Sequence, residues 1–190
     1  IWGSATSSYQ IEGAVNSGGR GRSIWDAFCE QPGQIANGDT GAIACDHYHL
    51  FEQDVQLMAS LGLKAYRFSI AWPRIQPTGS GEPNLLGINF YNRLIDCLIA
   101  HNIEPWITLY HWDLPEDLYL HSDGWLNRDS VDAFGEYARI CFQSFGDRVK
   151  HWITLNEPWC TAVLGHGTGE HAPGHQDSIE PYIVAHHLLL

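Results

Sequence analysis

The sequence predicts an α/β protein in which parallel strands alternate with helices. Short apolar segments end at Ile70, Tyr110 and Leu155, about 40 residues apart, and residues at helical spacing lie between them. The strands are mostly apolar, as expected when both faces of a sheet are covered. Turns from helix to strand are short, whereas connections from strand to helix are long and rich in Trp, His, Asp and Pro. Such connections carry the active sites of α/β enzymes.

The first half of the chain contains two predicted strands and one predicted helix. A short apolar segment at 2–6 is the first strand. A helix is predicted over 46–61, with Asp46 as its N-cap and Gly62 as its stop. The apolar face of this helix consists of Phe51, Val55 and Met58. The second strand is predicted over 65–70, directly after the turn that ends the helix.

Strands and helices continue to alternate in the second half. Helices are predicted over 87–101, over 130–145 with Ser130 as cap and Gly146 as stop, and from 182 to 190. The remaining strands are predicted over 105–110 and 152–155. The apolar helix faces consist of Ile88, Tyr91, Leu94, Ile95, Leu98 and Ile99, and of Phe134, Tyr137, Ala138, Cys141 and Phe145. The pattern is therefore four strand–helix units.

Charge and hydropathy disfavour several classes of function. The 190 residues have a net charge of -12, and 44% of them are hydrophobic, which is an ordinary globular composition. The acidic balance argues against binding to nucleic acid or an anionic membrane. No apolar run reaches the roughly 18 residues of a membrane-spanning helix. An open doubly wound sheet is the alternative architecture, but no Gly-x-Gly-x-x-Gly follows a strand, which disfavours dinucleotide binding.

The cysteines bear on the compartment in which the protein works. There are five, an odd number, and none forms a Cys-x-x-Cys pair. This usage predicts reduced thiols in a cytoplasmic protein rather than a disulfide framework. The sequence begins at Ile1 without an initiator Met and stops inside an apolar helical run, so both ends look cut. A secretory leader therefore stays open as an alternative.

Polar side chains cluster where the predicted strands end. Arg67 lies inside strand 65–70, His111, Trp112 and Asp113 follow strand 105–110, and Asn156 and Glu157 follow strand 152–155. Because the ends of parallel strands lie side by side, we expect these groups to converge. A buried Arg needs an anionic partner, since an unpaired buried charge is strongly destabilising. Tryptophan beside a glutamate can desolvate it and raise its pKa, which suits a general acid.

Each of these residues also has a purely structural interpretation. A lone Arg can form a structural ion pair, and a lone His in the core often has its hydrogen bonds satisfied there. A Glu at the start of a loop is often solvated. Polar residues at three successive strand ends favour a functional site instead. His166, His171 and His175 share one loop, but their spacing matches no usual zinc pattern. We therefore predict no metal site there.

Several motifs resemble those of glycoside hydrolase family 1, the β-glucosidases and their relatives. Thr-Leu-Asn-Glu-Pro at 154–158 is similar to the acid/base motif of that family. The other motifs follow in the family's order over nearly the whole chain. They are GSATSSYQIEGA at 3–14, SIWDAF at 23–28, YRFSIAWPRI at 66–75, YHWDLP at 110–115 and GEHAPG at 169–174.

The resemblance implies a (β/α)8 barrel that hydrolyses β-D-glycosides with retention of configuration. Residues 1–190 would be the N-terminal half of a single barrel domain and supply its first four βα units. Glu157 would be the general acid/base, and Asn156 would bind the 2-hydroxyl beside the reacting carbon. Two carboxyl groups suffice for this reaction, so no metal and no cofactor is implied.

The resemblance also implies roles for residues that surround the sugar. Gln10 and His111 match residues that bind the other hydroxyls of the glycone, and Trp112 matches a tryptophan of the same pocket. Trp159 matches an aromatic residue on the aglycone side. Arg67 matches the arginine that pairs with the nucleophile. The small-molecule partner expected from these matches is a β-glycoside.

One expected residue has no counterpart in the sequence. The family's nucleophile is a second glutamate, in an Ile/Val-Thr-Glu-Asn-Gly motif, and no such motif occurs here. Glu116, Glu170 and Glu180 lie in different contexts. A complete barrel needs about 250 residues, and only four strands are predicted. We therefore expect the other half of the barrel as a partner, and the 190 residues alone to be inactive.

Two other functions are weighed against the glycosidase. A sugar-binding protein without catalysis on the same scaffold would need no proton donor at Glu157. An α/β oxidoreductase or an interaction module is disfavoured by the missing dinucleotide motif. Gln10 and His111 fit an unphosphorylated hexose such as glucose or galactose. The choice among glucose, galactose, fucose and 6-phospho-sugars depends largely on residues outside this sequence.

Overall fold

A computed structural model describes all 190 residues, and its centre is one sheet of four parallel strands. The strands lie side by side in chain order and are β1 (Gly3–Ala5), β2 (Ala65–Ser69), β3 (Glu104–Tyr110) and β4 (His151–Leu155). The register pairs Ala5 with Arg67, Arg67 with Trp106, and Trp106 with His151. The four strands predicted from the sequence are confirmed, with shifts of at most one residue at their ends.

The four long helices lie close to the segments predicted by periodicity. They are α3 (His47–Ser60), α5 (Leu85–Ala100), α7 (Asp129–Phe145) and α8 (Glu180–Leu188). Four short helices that periodicity did not predict lie in the connections: α1 (Ser8–Ile11), α2 (Ile24–Glu30), α4 (Trp72–Ile75) and α6 (Glu116–Ser122). The chain also has 3-10 turns at Ala36–Gly38 and Gly124–Leu126 and a wide π-helical segment at Cys160–Thr168.

Of the two predicted N-caps, Asp46 occupies the N-cap position of α3 but its side chain does not cap the helix, and Ser130 is not the N-cap of α7. The backbone of Asp46 is left-handed, with φ +54°, and its carboxylate pairs with Nδ1 of His49 at 2.6 Å instead of capping a free N–H. Helix α7 begins one residue before Ser130, whose buried hydroxyl donates to the carbonyl of Gly124 at 2.5 Å. The predicted stops are confirmed. Gly62 follows α3 with φ +75°, and Gly146 is the C-cap of α7.

The helices cover one face of the sheet. Tyr66 and Phe68 of β2 and Ile107 and Leu109 of β3 belong to a single core of 31 buried apolar residues that also contains the inner faces of α3, α5 and α7. On the opposite face, Arg67 and Trp106 are only half-buried, whereas Ser69 and Thr108, nearer the strand ends, are buried. Strand residues point to opposite faces with a period of two. The face that bears Arg67 is therefore the open one.

Aromatic residues anchor the helices to the ends of the strands. The ring of Trp72 stacks on that of Tyr137, with centroids 5.0 Å apart and planes 14° apart. The hydroxyl of Tyr137 donates to the carbonyls of Ile70 and Leu109, at 3.1 and 2.8 Å. These bonds satisfy two carbonyls just where β2 ends and β3 approaches its end. The core thus fixes the strand ends from which the site is built.

A buried ionic cluster holds the connection that follows β1. Glu12 accepts a hydrogen bond from Nε of Arg74 at 3.1 Å and one from the hydroxyl of Tyr91 at 2.6 Å. The guanidinium of Arg74 also lies over the ring of Tyr48, 4.4 Å from its centroid. Arg74 is fully buried, so pairing with Glu12 is what makes its charge tolerable. This cluster fixes the backbone two residues beyond Gln10.

The chain contains no disulfide bond and no helix that could span a membrane. All five cysteines are unpaired, and Cys29 and Cys141 are buried. No helix combines the length and the apolar character needed to cross a membrane.

Candidate active site

Arg67 and Asn156 meet on the open face of the sheet. Nη2 of Arg67 donates to Oδ1 of Asn156 at 2.7 Å, and its Nε donates to Oγ1 of Thr108 at 2.9 Å. Asn156 is buried, and its backbone N–H donates to the carbonyl of Tyr110 at 2.9 Å. Because Arg67 takes the amide oxygen, the two amide N–H donors of Asn156 face away from the guanidinium. They are free to bind a hydroxyl group.

The partners of Arg67 within the chain are neutral, which differs from the expected anionic partner. Thr108 and Asn156 satisfy Nε and Nη2, and no carboxylate lies within ion-pair distance of the guanidinium. The side chain escapes the full penalty of an unpaired buried charge because it is only half-buried. The expected pairing of Arg67 with a nucleophilic carboxylate stays a prediction.

Glu157 follows Asn156 in a strained backbone conformation. Its φ is +43°, in the left-handed region that costs a residue other than glycine of order 1 kcal/mol. The side chain is exposed, and Oε2 accepts a hydrogen bond from Sγ of Cys160 at 3.4 Å. The expectation that flanking tryptophan desolvates Glu157 is wrong for these 190 residues, since Trp159 is itself 61% exposed.

His111 and Trp112 extend the site from the end of β3. Burial and the positive charge of Arg67 lower the pKa of His111 to about 4, so its imidazole is neutral near pH 7. A neutral imidazole offers one donor and one acceptor. The indole Nε1 of Trp112 donates to the carbonyl of Asn156 at 2.9 Å. This bond ties the end of β3 to the end of β4.

A cavity of about 310 Å³ joins three of the predicted sugar-binding residues. Gln10, on the exposed side of α1, lines it together with His111 and Trp112. Its remaining walls come from the first connection and α2, namely Ser7, Tyr9, Trp25, Cys29, Ile35, Asp39, Thr40, Gly41 and Ala44. Aromatic rings beside polar side chains suit a sugar ring, which has apolar faces and a rim of hydroxyl groups.

Trp159 lies apart from these residues. It lines a second, mostly apolar cavity of about 500 Å³ with Pro158 and side chains of the last helix. The structure thus groups Gln10 with His111 and Trp112, and Arg67 with Asn156, but places Trp159 in a separate groove beyond Glu157.

Two residues near the site were not predicted from the sequence to belong to it. Trp25 stacks on Trp112 with centroids 6.4 Å apart, and His171 packs on the same ring at 5.0 Å. They lie inside the motifs SIWDAF and GEHAPG, which were the available signal. Asp113, which was expected among the polar residues at the end of β3, is fully buried, and burial raises the pKa of its carboxyl group to about 7.

The histidines of the last loop have partners other than a metal. His166 bonds the carbonyl of Thr161 at 2.9 Å, and His175 lies between Glu180 at 2.6 Å and the hydroxyl of Tyr119 at 2.7 Å. No group of three or more His, Cys, Asp or Glu residues has the arrangement of a metal site.

Sequence and structure comparisons identify the relatives of this chain. The family model described as glycosyl hydrolase family 1 matches residues 1–190, the entire sequence. The chain belongs to glycosyl hydrolase family 1. It is 55% identical over 189 residues to a 1,4-beta-D-glucan glucohydrolase of Thermotoga neapolitana and 53% identical over 189 residues to Beta-glucosidase A of Thermotoga maritima. The matches cover all of this chain but only 44% and 42% of those relatives.

Solved structures of family 1 members superpose closely on the chain. The β-glucosidase of Thermotoga maritima in complex with glucoimidazole matches with a TM-score of 0.98 and 53% identity, and the rice Os3BGlu6 β-glucosidase matches with a TM-score of 0.97 and 50% identity. All of this chain is covered, against 43% and 42% of those structures. The four parallel strands and their helices are therefore four βα units of a family 1 (β/α)8 barrel.

Proposed function

We propose that the protein is a retaining β-glucosidase that removes terminal β-D-glucosyl or related residues. The observation that carries the proposal is the end of β4, where Asn156, oriented by Arg67, precedes an accessible Glu157. The relatives named above, at 53–55% identity, are a β-glucosidase and a glucan glucohydrolase. Because the chain spans less than half of their length, the proposal concerns the complete protein.

In this reaction Glu157 acts twice. It first donates a proton to the glycosidic oxygen as the aglycone leaves, and it then removes a proton from the water that releases the sugar. The position of Glu157 supports both steps, because its carboxylate is exposed and the two residues that follow it, Pro158 and Trp159, line the second cavity, where the aglycone would bind. The nucleophile is a carboxylate from a further segment of the protein, about 5–5.5 Å from Glu157.

The other residues hold the sugar. The free amide N–H groups of Asn156 donate to the 2-hydroxyl, a bond that strengthens as charge develops at the anomeric carbon. Gln10 and the neutral imidazole of His111 bind hydroxyls on the far side of the ring, and Trp112 packs on its apolar face. Arg67 pairs with the nucleophile. The reaction proceeds through two carboxyl groups and requires no metal or cofactor.

The test is to follow hydrolysis of an aryl β-glucoside by the complete protein with proton NMR. We expect the first sugar released to be the β-anomer, because two displacements at one carbon restore its configuration. Initial release of the α-anomer would contradict the retaining mechanism. Tight binding of glucose without hydrolysis would favour the non-catalytic sugar-binding alternative.

A further inference from the structure

Buried hydrogen bonds connect the ends of the first three strands. The backbone N–H of Ser8 donates to Oγ of Ser69 at 2.7 Å, and the Ser69 hydroxyl donates to Oγ of Ser8 at 3.2 Å. Oγ of Ser8 in turn donates to Oδ2 of Asp113 at 2.5 Å. All three side chains are buried, Asp113 completely. Both hydroxyl protons are directed toward Asp113, so its carboxyl group is the acceptor at which the series ends.

The two ends of this series adjoin two residues that would hold the sugar. Ser8 begins α1, two residues before Gln10, and Asp113 follows His111 by two residues. Strands β1 and β3 are not neighbours, because β2 lies between them. The bond from Ser8 to Asp113 therefore connects, across β2, the two segments that bring Gln10 and His111 to the same cavity.

The position of His111 depends on the residues that follow it. Its Nδ1 is buried without a hydrogen-bond partner, so the chain does not hold the ring there. Two of the residues after His111, Trp112 and Leu114, are held by hydrogen bonds to other parts of the chain. Trp112 donates to the carbonyl of Asn156 at 2.9 Å, and the carbonyl of Leu114 accepts from the N–H of Ile24 at 2.9 Å. Asp113 supplies the remaining attachment, the one toward β1.

We propose that Asp113 is a positioning residue that, through Ser8, sets the spacing between Gln10 and His111 and so the fit of the sugar hydroxyls they bind. The inference rests on the proposed function, because this spacing matters only if both residues contact sugar. Because the bond between Ser8 and Asp113 is buried, removing either partner leaves the other polar group without a hydrogen bond, which is unfavourable. A displacement of about 1 Å in a site can cost roughly a hundredfold in rate.

The test measures selectivity rather than activity. In the complete protein, kcat/KM for an aryl β-glucoside is divided by kcat/KM for analogues that lack the 3- or the 4-hydroxyl. This ratio does not depend on the fraction of folded enzyme. Ser8→Ala removes the donor to Asp113 while its backbone bond to Ser69 stays. We expect Ser8→Ala and Asp113→Ala to lower the ratio roughly tenfold.

Two further variants are the controls. Ser130→Ala removes a hydroxyl that is equally buried and makes an equally short bond, 2.5 Å to the carbonyl of Gly124, at the start of an outer helix. We expect it to leave the ratio unchanged even where it lowers stability. Asp113→Asn keeps an oxygen acceptor for Ser8 and should retain a ratio near that of the wild type.

The following results would overturn the inference. A ratio unchanged in Ser8→Ala and Asp113→Ala would overturn the inference, and so would an equal fall in Ser130→Ala or in Asp113→Asn. A wild-type ratio near one would overturn it too, because Gln10 and His111 would then bind no hydroxyl. A wild-type protein that hydrolyses no β-glucoside would refute the proposed function itself, and the inference with it.

Discussion

The candidate site has two sides, one at the ends of β1 to β3 and one at the end of β4, and residues 1–190 enclose the first more completely than the second. On the side of β1 to β3, Ser8, Ser69 and Asp113 are buried and interlocked, and Gln10 and His111 share a defined cavity. On the side of β4, Glu157 and Trp159 are exposed. The interlocked side is the one that would hold the sugar, and the open side is the one that would receive the aglycone. Under the proposed function, sugar recognition would thus depend on local packing, whereas the acid/base would need further protein around it.

The largest expected effect concerns the open side as a whole. Residues 1–190 expressed alone should show no β-glucosidase activity, because they contain no motif for the second, nucleophilic glutamate. They should also associate, since the open face of a sheet with unpaired edge strands attracts other chains. Activity assays and light scattering check this, with addition of the separately expressed remainder of the protein as the positive control. A stable, active monomer of 1–190 would contradict this prediction.

The next effect concerns Asn156, at the border between the two sides. Asn156→Ala in the complete protein should lower kcat/KM by roughly a hundredfold, because the amide donates most strongly when charge develops in the transition state. Affinity for glucose as product should fall much less. Steady-state kinetics on a 2-deoxyglucoside is the control, and the mutation should have little effect there. Equal losses on both substrates would show that Asn156 does not contact the 2-hydroxyl.

On the interlocked side, the expected effect is a dependence of stability on pH. Burial raises the pKa of Asp113 to about 7 from its ordinary 3.8, with Glu12 adding to the rise and Ser8 and Arg20 opposing it. Between these values the unfolded chain has released the proton and the folded one has kept it. Stability therefore falls as the pH rises from about 4 to 7, by up to roughly 4 kcal/mol for this one group.

The pH dependence of the stability of Asp113→Asn and His111→Gln tests the contribution of Asp113. Relative to the wild type, Asp113→Asn should gain stability as the pH is raised from 5 to 8, measured by denaturant unfolding of the complete protein. His111→Gln should behave in the opposite way, because the pKa of His111 is lowered to about 4 and its burial as a neutral ring costs stability as the pH falls below about 6.5. A parallel pH dependence for the two variants would contradict these assignments.

Periodicity and composition predicted most of the fold. Apolar spacing placed α3, α5, α7 and the strands between them nearly correctly, because those patterns arise from local packing on one sheet. Asp46 was placed correctly at the N-cap position of α3, but neither its side chain nor that of Ser130 caps a helix, because they bond His49 and the carbonyl of Gly124 instead. Which of several possible partners a side chain bonds depends on the folded geometry, so it cannot be predicted from the neighbouring residues in the sequence.

In the site, too, contacts between residues close in sequence were predictable and contacts between distant residues were not. The pair at the end of β4 was predicted because Asn156 and Glu157 are adjacent in sequence. The bond between Ser8 and Asp113 joins residues 105 positions apart, and the stacking of Trp25 on Trp112 is similarly distant. These contacts exist because parallel strands bring their ends together, so they became visible only with the sheet order. Burial of Glu157 was predicted from its neighbours and is not provided by them.

The measurement that tests the central assignment most directly is the rate of glycosylation by Glu157→Ala in the complete protein, across leaving groups of different pKa. We expect the variant to lose roughly 10²–10⁴-fold on cellobiose, whose leaving group needs a proton. It should lose far less on activated aryl glucosides, which leave without one. Pre-steady-state rates separate this step from the later hydrolysis. A loss of equal size for good and poor leaving groups would remove Glu157 from the role of acid.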